Sequence, residues 1–342
     1  MDYKLRQVTW ELTLKCNLRC IHCGSNAGEK RRKELTTKEA LDVVKDLADL
    51  GVDEICFLGG EPFLRKDWFE IANEAKEFGI RTLFISNGCI NKNVISKLCK
   101  LEPYGVAVSI DGMEKVHDAI RGRSSFKKAI SFLLSCKDNG LPMTIITTVN
   151  KLNLRELPKI KDFIIGKNIA WQIQIASPQG RLSRHLVVSE EEFYAVGLFI
   201  AWLRKKYSTK ELPVIGAHCC GYFSNYLPNI NMSYWKGCSA GINILGIKSN
   251  GDTIGCLSIP EKFIEGNLRR KGIKEIWNDN NAFSYNRKFN EEQLGTNCKG
   301  CKYWKKCKGG CNGLSFFMTN QFHNDPYCYY RIEKKFFKLD KI

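Results

Sequence analysis

The sequence lacks a secretory signal, and no apolar run in it is long enough to cross a bilayer. The longest candidate, "GLFIAWL", is short and sits in a helical pattern with charged flanks. Internal repeats and low-complexity tracts are absent too, which argues against solenoids and disordered tails. No basic-aromatic stripe of a nucleic-acid module is present, which disfavours a nucleic-acid partner. Histidine is scarce, with five in 342 residues. His117, His185, His218 and His323 are scattered, and a lone histidine is more often structural than catalytic. These absences leave a cytoplasmic globular protein with no membrane partner as the expectation. An apolar fraction of 44% and a charged fraction of 26% fit that class.

What the sequence has in excess is cysteine and positive charge. Sixteen cysteines in a reducing compartment point to metal ligation rather than disulfides. The net charge of +17 comes from 53 basic and 36 acidic residues. Solvated basic helix faces explain it most simply, and an acidic peptide partner is the alternative.

Up to about residue 205, strand and helix patterns alternate. Strands are expected at 8–14, 53–58, 81–87, 105–110, 143–149 and 169–176, all apolar, β-branched-rich and bounded by polar turns. The helix "TTKEALDVVKDLADLG" opens with Thr36 and Glu39 at capping-box spacing, and Ser189 with Glu192 repeats the device. A third helix opens at Asp67 and stops at Gly79. Six βα units imply a parallel sheet, either doubly wound or a partial TIM-like barrel. In both, chemistry gathers at the C-terminal strand ends. "TLKCNLRC", "GGEP", "SNGC", "DG", "NKLN" and "SPQGR" all fall there. From residue 206 the alternation stops and nine of the sixteen cysteines appear, which predicts a loop-rich, metal-stapled second domain. The expected division is 1–205, a bridging segment 206–237, and 238–342.

The first cysteines, Cys16, Cys20 and Cys23, stand at C-x3-C-x2-C. A structural zinc takes four protein ligands and disulfides take cysteines in pairs, so three suggests a metal centre with one position left open. "CNLRCIHC", followed after the next strand by "GGEP", resembles the radical S-adenosylmethionine (SAM) superfamily. The resemblance covers residues 8 to about 180 and implies a partial (β/α)6 TIM-like barrel. It implies that the three cysteines hold a 4Fe–4S cluster whose fourth iron chelates SAM. Reductive cleavage of SAM then yields a 5′-deoxyadenosyl radical that abstracts hydrogen from a substrate. By the same resemblance His22 contacts adenine, and Gly59, Gly60, Glu61 and Pro62 receive the methionine amino group. Ser86 and Asn87 match a ribose-contacting strand end, and Ser109 and Asp111 line the same cavity. Arg121 matches a position near it. Cys89, at the active end of strand three, is a candidate hydrogen-atom donor or a small buried residue. Cys56, Cys99 and Cys136 are expected to serve packing.

The second cysteine set runs Cys238, Cys256, Cys298, Cys301, Cys307, Cys311 and Cys328. Its order resembles the SPASM domain, which holds two auxiliary 4Fe–4S clusters. That implies Cys298, Cys301, Cys307 and Cys328 on auxiliary cluster II, and Cys238, Cys256 and Cys311 on auxiliary cluster I. Cys219 or Cys220 is the expected fourth ligand of the latter; the alternative is a buried pair of thiols.

Three 4Fe–4S clusters and SAM are thus the implied cofactors. SPASM enzymes mostly modify peptides and proteins, so the resemblance implies maturation of a ribosomally made precursor peptide, by crosslinking. Modification of a tetrapyrrole or other small molecule, or of a protein such as a sulfatase, is the alternative. A non-catalytic iron–sulfur electron carrier is disfavoured by "GGEP". The expected partners are that precursor and an electron donor such as flavodoxin or ferredoxin. With strand one starting near residue 8, a leader is expected to be read by a separate leader-binding protein or by the basic surface, which suits acidic leader residues.

Overall fold

The computed structural model describes residues 3–231 and 234–337. The expected strand–helix alternation is present. Strands β1 (Gln7–Thr13), β2 (Glu54–Gly59), β3 (Arg81–Ser86), β4 (Gly105–Ser109), β5 (Met143–Val149) and β6 (Ala170–Ile175) alternate with helices. The helices are α1 (Thr37–Asp49), α2 (Trp68–Glu77), α3 (Asn93–Leu101), α4 (Glu114–Arg121), α5 (Ser125–Asp138), α6 (Leu157–Ile164) and α7 (Glu190–Lys206). Both capping boxes form: Thr36 and Ser189 each accept from the backbone three residues on, and Glu39 and Glu192 reach back. Asp67 is the N-cap residue of α2, but its carboxylate pairs with Arg65 rather than capping.

The chain divides into two compact units that are not contiguous in sequence. One gathers residues through Ser109, Arg121–Met143 and Ser239–Lys288; the other gathers Ile110–Ile120, Thr144–Cys238 and Phe289 onward. In the first unit β1, β2, β3 and β4 pair in parallel, in that order. A strand from the cysteine-rich half, β8 (Ile244–Ile247), pairs in parallel with the free edge of β1, in register Gln7–Ile244. It continues antiparallel into β9 (Asp252–Ile254) and β10 (Gly266–Asn267). Among the described residues, the strands β8–β10 of the cysteine-rich half therefore join the sheet of the first unit. The apolar "NILGI" extends that sheet, because β1 is buried on both faces and its edge needs a partner. Helices α8 (Ile273–Asn278) and α9 (Ser284–Arg287) follow.

The core of this unit is aromatic. Trp10, Phe57 and Phe84 are fully buried, with Phe57 stacked 5.4 Å from Phe84. Phe63, just past "GGEP", stacks at 5.1 Å on Phe84 and meets Trp68 of α2 edge-on at 4.8 Å. The strand end that carries the motif is thereby fixed by packing.

In the second unit β5, β6 and the short β7 (Val214–Gly216) pair in parallel. Trp171 of β6 donates to Thr147 Oγ1 at 2.9 Å, both fully buried. The C-terminal segment is built of short helices: α10 (Trp304–Cys307), α11 (Asn312–Thr319) and α12 (Tyr329–Phe337). It docks on α7 through Phe193, which stacks between Tyr327 and Tyr329 at 4.7 Å from each. No helix among the described residues is long and apolar enough to cross a membrane.

Candidate cofactor sites

The three-cysteine loop follows β1 and is pinched at its base. Cys16 N–H donates to Gly28 O at 2.8 Å and Gly28 N–H to Leu14 O at 3.1 Å. The Glu34 carboxylate then takes Leu14 N–H at 2.9 Å, Arg31 N–H at 3.1 Å and the Thr13 hydroxyl at 3.0 Å. Each cysteine sulfur accepts from nitrogen. Leu18 N–H and the Asn87 amide reach Cys16 Sγ at 3.5 and 3.6 Å, Ala27 N–H reaches Cys23 Sγ at 3.4 Å, and Arg121 reaches Cys20 Sγ at 3.8 Å. Burial raises the Cys16 thiol despite its two donors, so iron must displace that proton on binding.

Among the described residues no three His, Cys, Asp or Glu side chains converge on a single-ion site. A tetrahedral zinc with ~2.3 Å bonds would hold its sulfurs roughly 3.8 Å apart. A cubane spreads its ligands more widely. Three sulfurs on one loop, each met by a nitrogen donor, fit a cluster that leaves one iron open.

The "GGEP" turn is built onto this loop. Gly60 N–H donates to Thr13 O and Glu61 N–H to Lys15 O, both at 2.8 Å. A Cβ on Gly60 would lie 2.2 Å from Lys15 O, and one on Gly59, at φ +135°, 2.3 Å from Thr13 O. The two glycines are thus required by the approach of "GGEP" to the cluster loop's own backbone. Pro62 opens a single 3-10 turn, Pro62–Leu64, capped by Glu61.

Glu61 is fully buried. Its carboxylate accepts from Ser86 Oγ at 2.9 Å, Asn87 N–H at 2.8 Å and Phe63 N–H at 3.4 Å. Burial pushes its pKa up to about 7 despite those donors. No cation pairs with it among the described residues. A buried carboxylate with hydrogen bonds but no counter-charge fits the reception of an ammonium group.

Ser86 and Asn87 are held by Glu61 and the cysteine loop, since the Asn87 amide also donates to Asn17 Oδ1 at 2.9 Å. Arg121, almost buried, also lies 3.4 Å from His22 Nε2. As a guanidinium only donates, that nitrogen is the acceptor. Ser109 is buried at the end of β4. Asp111 is buried in the other unit, where it accepts from Thr148 N–H at 2.9 Å while its own N–H donates to His117 Nδ1 at 3.2 Å. Cys89 is buried, with Sγ 3.5 Å from Ser125 O and its N–H on Asn87 Oδ1 at 2.7 Å. Burial raises its pKa to about 11, so it stays a thiol.

In the second unit Cys298, Cys301, Cys307 and Cys328 line one cavity of about 150 Å³, together with Tyr222 and Asp325. Gly310 N–H donates to Cys307 O at 3.3 Å and Asp325 N–H to Gly309 O at 3.2 Å, which ties the wall together through its main chain. Burial raises the thiols of Cys298, Cys307 and Cys328, the first and last to about 12. Iron must displace those protons on binding. The wall is shaped by Gly309 and Gly310, at φ +74° and +85°, where a Cβ would lie within 2.5 Å of His323 and Asp325.

Cys311 leaves this wall. Its N–H donates to Tyr222 Oη at 2.7 Å and to Asp325 Oδ2 at 3.2 Å. Cys238 closes the bridging segment in the same unit, whereas Cys256 follows β9 in the other. Cys219 and Cys220 are buried against β6: Ile175 N–H donates to Cys219 Sγ at 3.2 Å and Cys220 Sγ donates to Ile173 O at 3.1 Å.

Sequence reasoning did not find Glu34, Tyr222 or Asp325. Asp325, three residues before Cys328 and fully buried, is the one with a local signal.

The radical SAM superfamily model matches residues 10–164, and an iron–sulfur cluster-binding domain model (SPASM) matches 238–302. An AdoMet-dependent heme synthase of Methanosarcina barkeri is 29% identical, covering 96% of this chain and 98% of its own. Mycofactocin maturase MftC of Mycobacterium ulcerans is 30% identical, covering 94% and 87%. Streptococcus suis SuiB bound to precursor peptide SuiA superposes with a TM-score of 0.75 at 18% identity, covering 95% and 76%. Native anSMEcpe with bound AdoMet does so at 0.74 and 19% identity, covering 98% and 96%. These likenesses show the partial TIM-like barrel fold followed by a small loop-rich iron–sulfur region. The chain belongs to the radical SAM superfamily and carries a SPASM domain: it is an enzyme that uses a 4Fe–4S cluster with S-adenosylmethionine, together with auxiliary iron–sulfur clusters.

Proposed function

We propose that this enzyme matures a ribosomally made peptide by radical crosslinking. The reading is carried by the complete second cysteine set, with four of its members lining one cavity. Closing a bond from a substrate radical removes an electron, and a second iron–sulfur site supplies a place for it. The 30% identity to a mycofactocin maturase along nearly the whole chain supports a peptide as the substrate.

In this reading Cys16, Cys20 and Cys23 hold the cluster, which supplies the electron for SAM cleavage. Glu61 receives the ammonium of SAM, on a turn that Gly59, Gly60 and Pro62 press against the cysteine loop. His22, Ser86, Asn87 and Ser109 border the nucleoside, with Ser86 and Asn87 also orienting Glu61. Cys298, Cys301, Cys307 and Cys328 hold one auxiliary cluster; Cys238 and Cys311, in the same unit, serve the other. Cys89 keeps its proton and so retains a hydrogen atom to give.

A second reading, modification of a tetrapyrrole, is favoured by the full-length likeness to a heme synthase. One experiment separates them. The chain is reconstituted anaerobically with iron, sulfide, dithionite and SAM, then offered either a precursor peptide or an iron coproporphyrin. The expected result is 5′-deoxyadenosine formation stimulated by the peptide, with a peptide product lighter by two hydrogens. Stimulation by the porphyrin alone overturns the peptide assignment.

A further inference from the structure

The segment that supplies three of the four cysteines to the 150 Å³ cavity is unusually one-signed. Between Glu292 and Asp325 there are five lysines, at 299, 302, 305, 306 and 308, and no acidic residue. Asp325 itself is fully buried. Lys299, Lys302, Lys305 and Lys306 are exposed, and among the described residues none has a carboxylate partner. Lys302 is pinned over the rings of Tyr303 and Tyr330, with its Nζ 5.1 and 5.0 Å from their centroids. The nearby Arg331 and Lys335 by contrast share the Glu190 carboxylate. The free lysines sit beside a redox-competent cavity that is not sealed: Cys298 and Cys301, which line it, are only half-buried, and Lys299 and Gly300 between them are exposed.

Positive charge concentrated around a shallow redox centre steers a partner of opposite sign and brings it within electron-transfer reach. From this juxtaposition we infer that the lysine face around Cys298–Lys308 is the docking surface for a small acidic one-electron carrier protein of the flavodoxin class. The inference rests on those four cysteines holding a cluster, and not on what the enzyme's substrate is. The docked, reduced carrier gives up one electron and leaves one-electron oxidised; the cluster held by the four cysteines gains that electron, and no bond or proton moves. The competing occupant is an acidic peptide leader, for which Lys305, Lys306 and Lys236 also line a neighbouring cavity of about 630 Å³.

The test compares the reconstituted chain with its Lys299→Glu/Lys305→Glu/Lys306→Glu variant, without any peptide. Binding of oxidised flavodoxin is measured by titration calorimetry between low and physiological salt. Oxidation of flavodoxin hydroquinone is followed by stopped flow, with dithionite as the small reductant that needs no docking. The expected result is binding weakened tenfold or more, a salt dependence largely lost, slowed flavodoxin oxidation, and unchanged reduction by dithionite. Should the glutamate variant lose iron, the Lys→Gln version of the same three positions decides, with binding expected to weaken about threefold or more. Unchanged flavodoxin binding and oxidation in an iron-replete variant overturns the inference. So does a variant that binds flavodoxin normally but has lost affinity for an acidic precursor peptide.

Discussion

Glu61 joins three parts of the site through one carboxylate. It accepts from Ser86 and Asn87 at the end of β3, caps the turn after β2, and takes its backbone position from Lys15 of the cysteine loop. Burial holds its pKa near 7, well above an ordinary glutamate. Below about pH 7 the carboxyl is protonated and cannot balance an ammonium; above it the charge is available. SAM affinity of the reconstituted enzyme is expected to rise up to tenfold per pH unit from pH 5.5 toward about 7 and then level off. Glu61→Gln is expected to bind weakly at all pH values; a pH-independent wild-type affinity refutes the assignment. Arg121 acts on the same site from the other side. Its guanidinium lies 3.8 Å from Cys20 Sγ, and a fixed positive charge there favours the reduced, more negative cluster. Arg121→Gln is therefore expected to lower the reduction potential of that cluster, read by a redox titration followed by electron paramagnetic resonance. Cys219 and Cys220 belong to this scale too. Both sulfurs are engaged by the β6 main chain, so replacing either with alanine is expected to leave iron content and cluster spectra unchanged. Loss of signal from one auxiliary cluster would instead make one of them its fourth ligand.

At the scale of elements, the turns decide what the strands can present. Gly60→Ala puts a methyl group 2.2 Å from Lys15 O and 2.5 Å from Leu14 O, neither of which can give way without opening the cysteine loop. The substitution is expected to destabilise the chain by about 3 kcal/mol or more and to lower iron retention at the three-cysteine loop. Thr36→Ala removes a cap far from any sulfur and is expected to cost only about 1 kcal/mol with iron content intact. Thermal unfolding with iron analysis separates the two. What was legible in the sequence follows the same line between local and distant causes. Six strands and two capping boxes were readable, because period and capping are written within a few residues. β7 and β8–β10 were not, because strands of two to four residues carry no period. β8 is a strand only because β1 has an edge to cover. The cysteine motifs were readable from spacing. The contact of Arg121 with Cys20, 101 positions away, and the hold of Glu34 on the loop, 20 positions from Leu14, were not.

At the scale of the whole molecule, regular structure and metal ligands are distributed unequally. β5, β6 and α7 carry long hydrogen-bonded ladders and fully buried Trp171 and Phe193. Residues 289–328 have a four-residue helix, an eight-residue helix and a string of glycine-hinged turns. Little backbone there is fixed by secondary structure, so the ordering entropy must be offset by something else. Aromatic docking on α7 helps at the end of the segment, where Tyr327 and Tyr329 stack on Phe193. Nearer the cysteines the cavity is walled by four sulfurs, and burial raises the pKa of three of them, Cys298, Cys307 and Cys328, without adding cohesion. Iron binding there is then part of the folding energy of that segment. Hydrogen exchange should show it. On removal of iron under reducing conditions, amides of 298–328 are expected to exchange at least a hundredfold faster, while those of β5, β6 and α7 keep most of their protection. Equal protection of 298–328 with and without iron would mean that packing alone holds the segment, and that the cluster of these four cysteines serves electron transfer without supporting the fold.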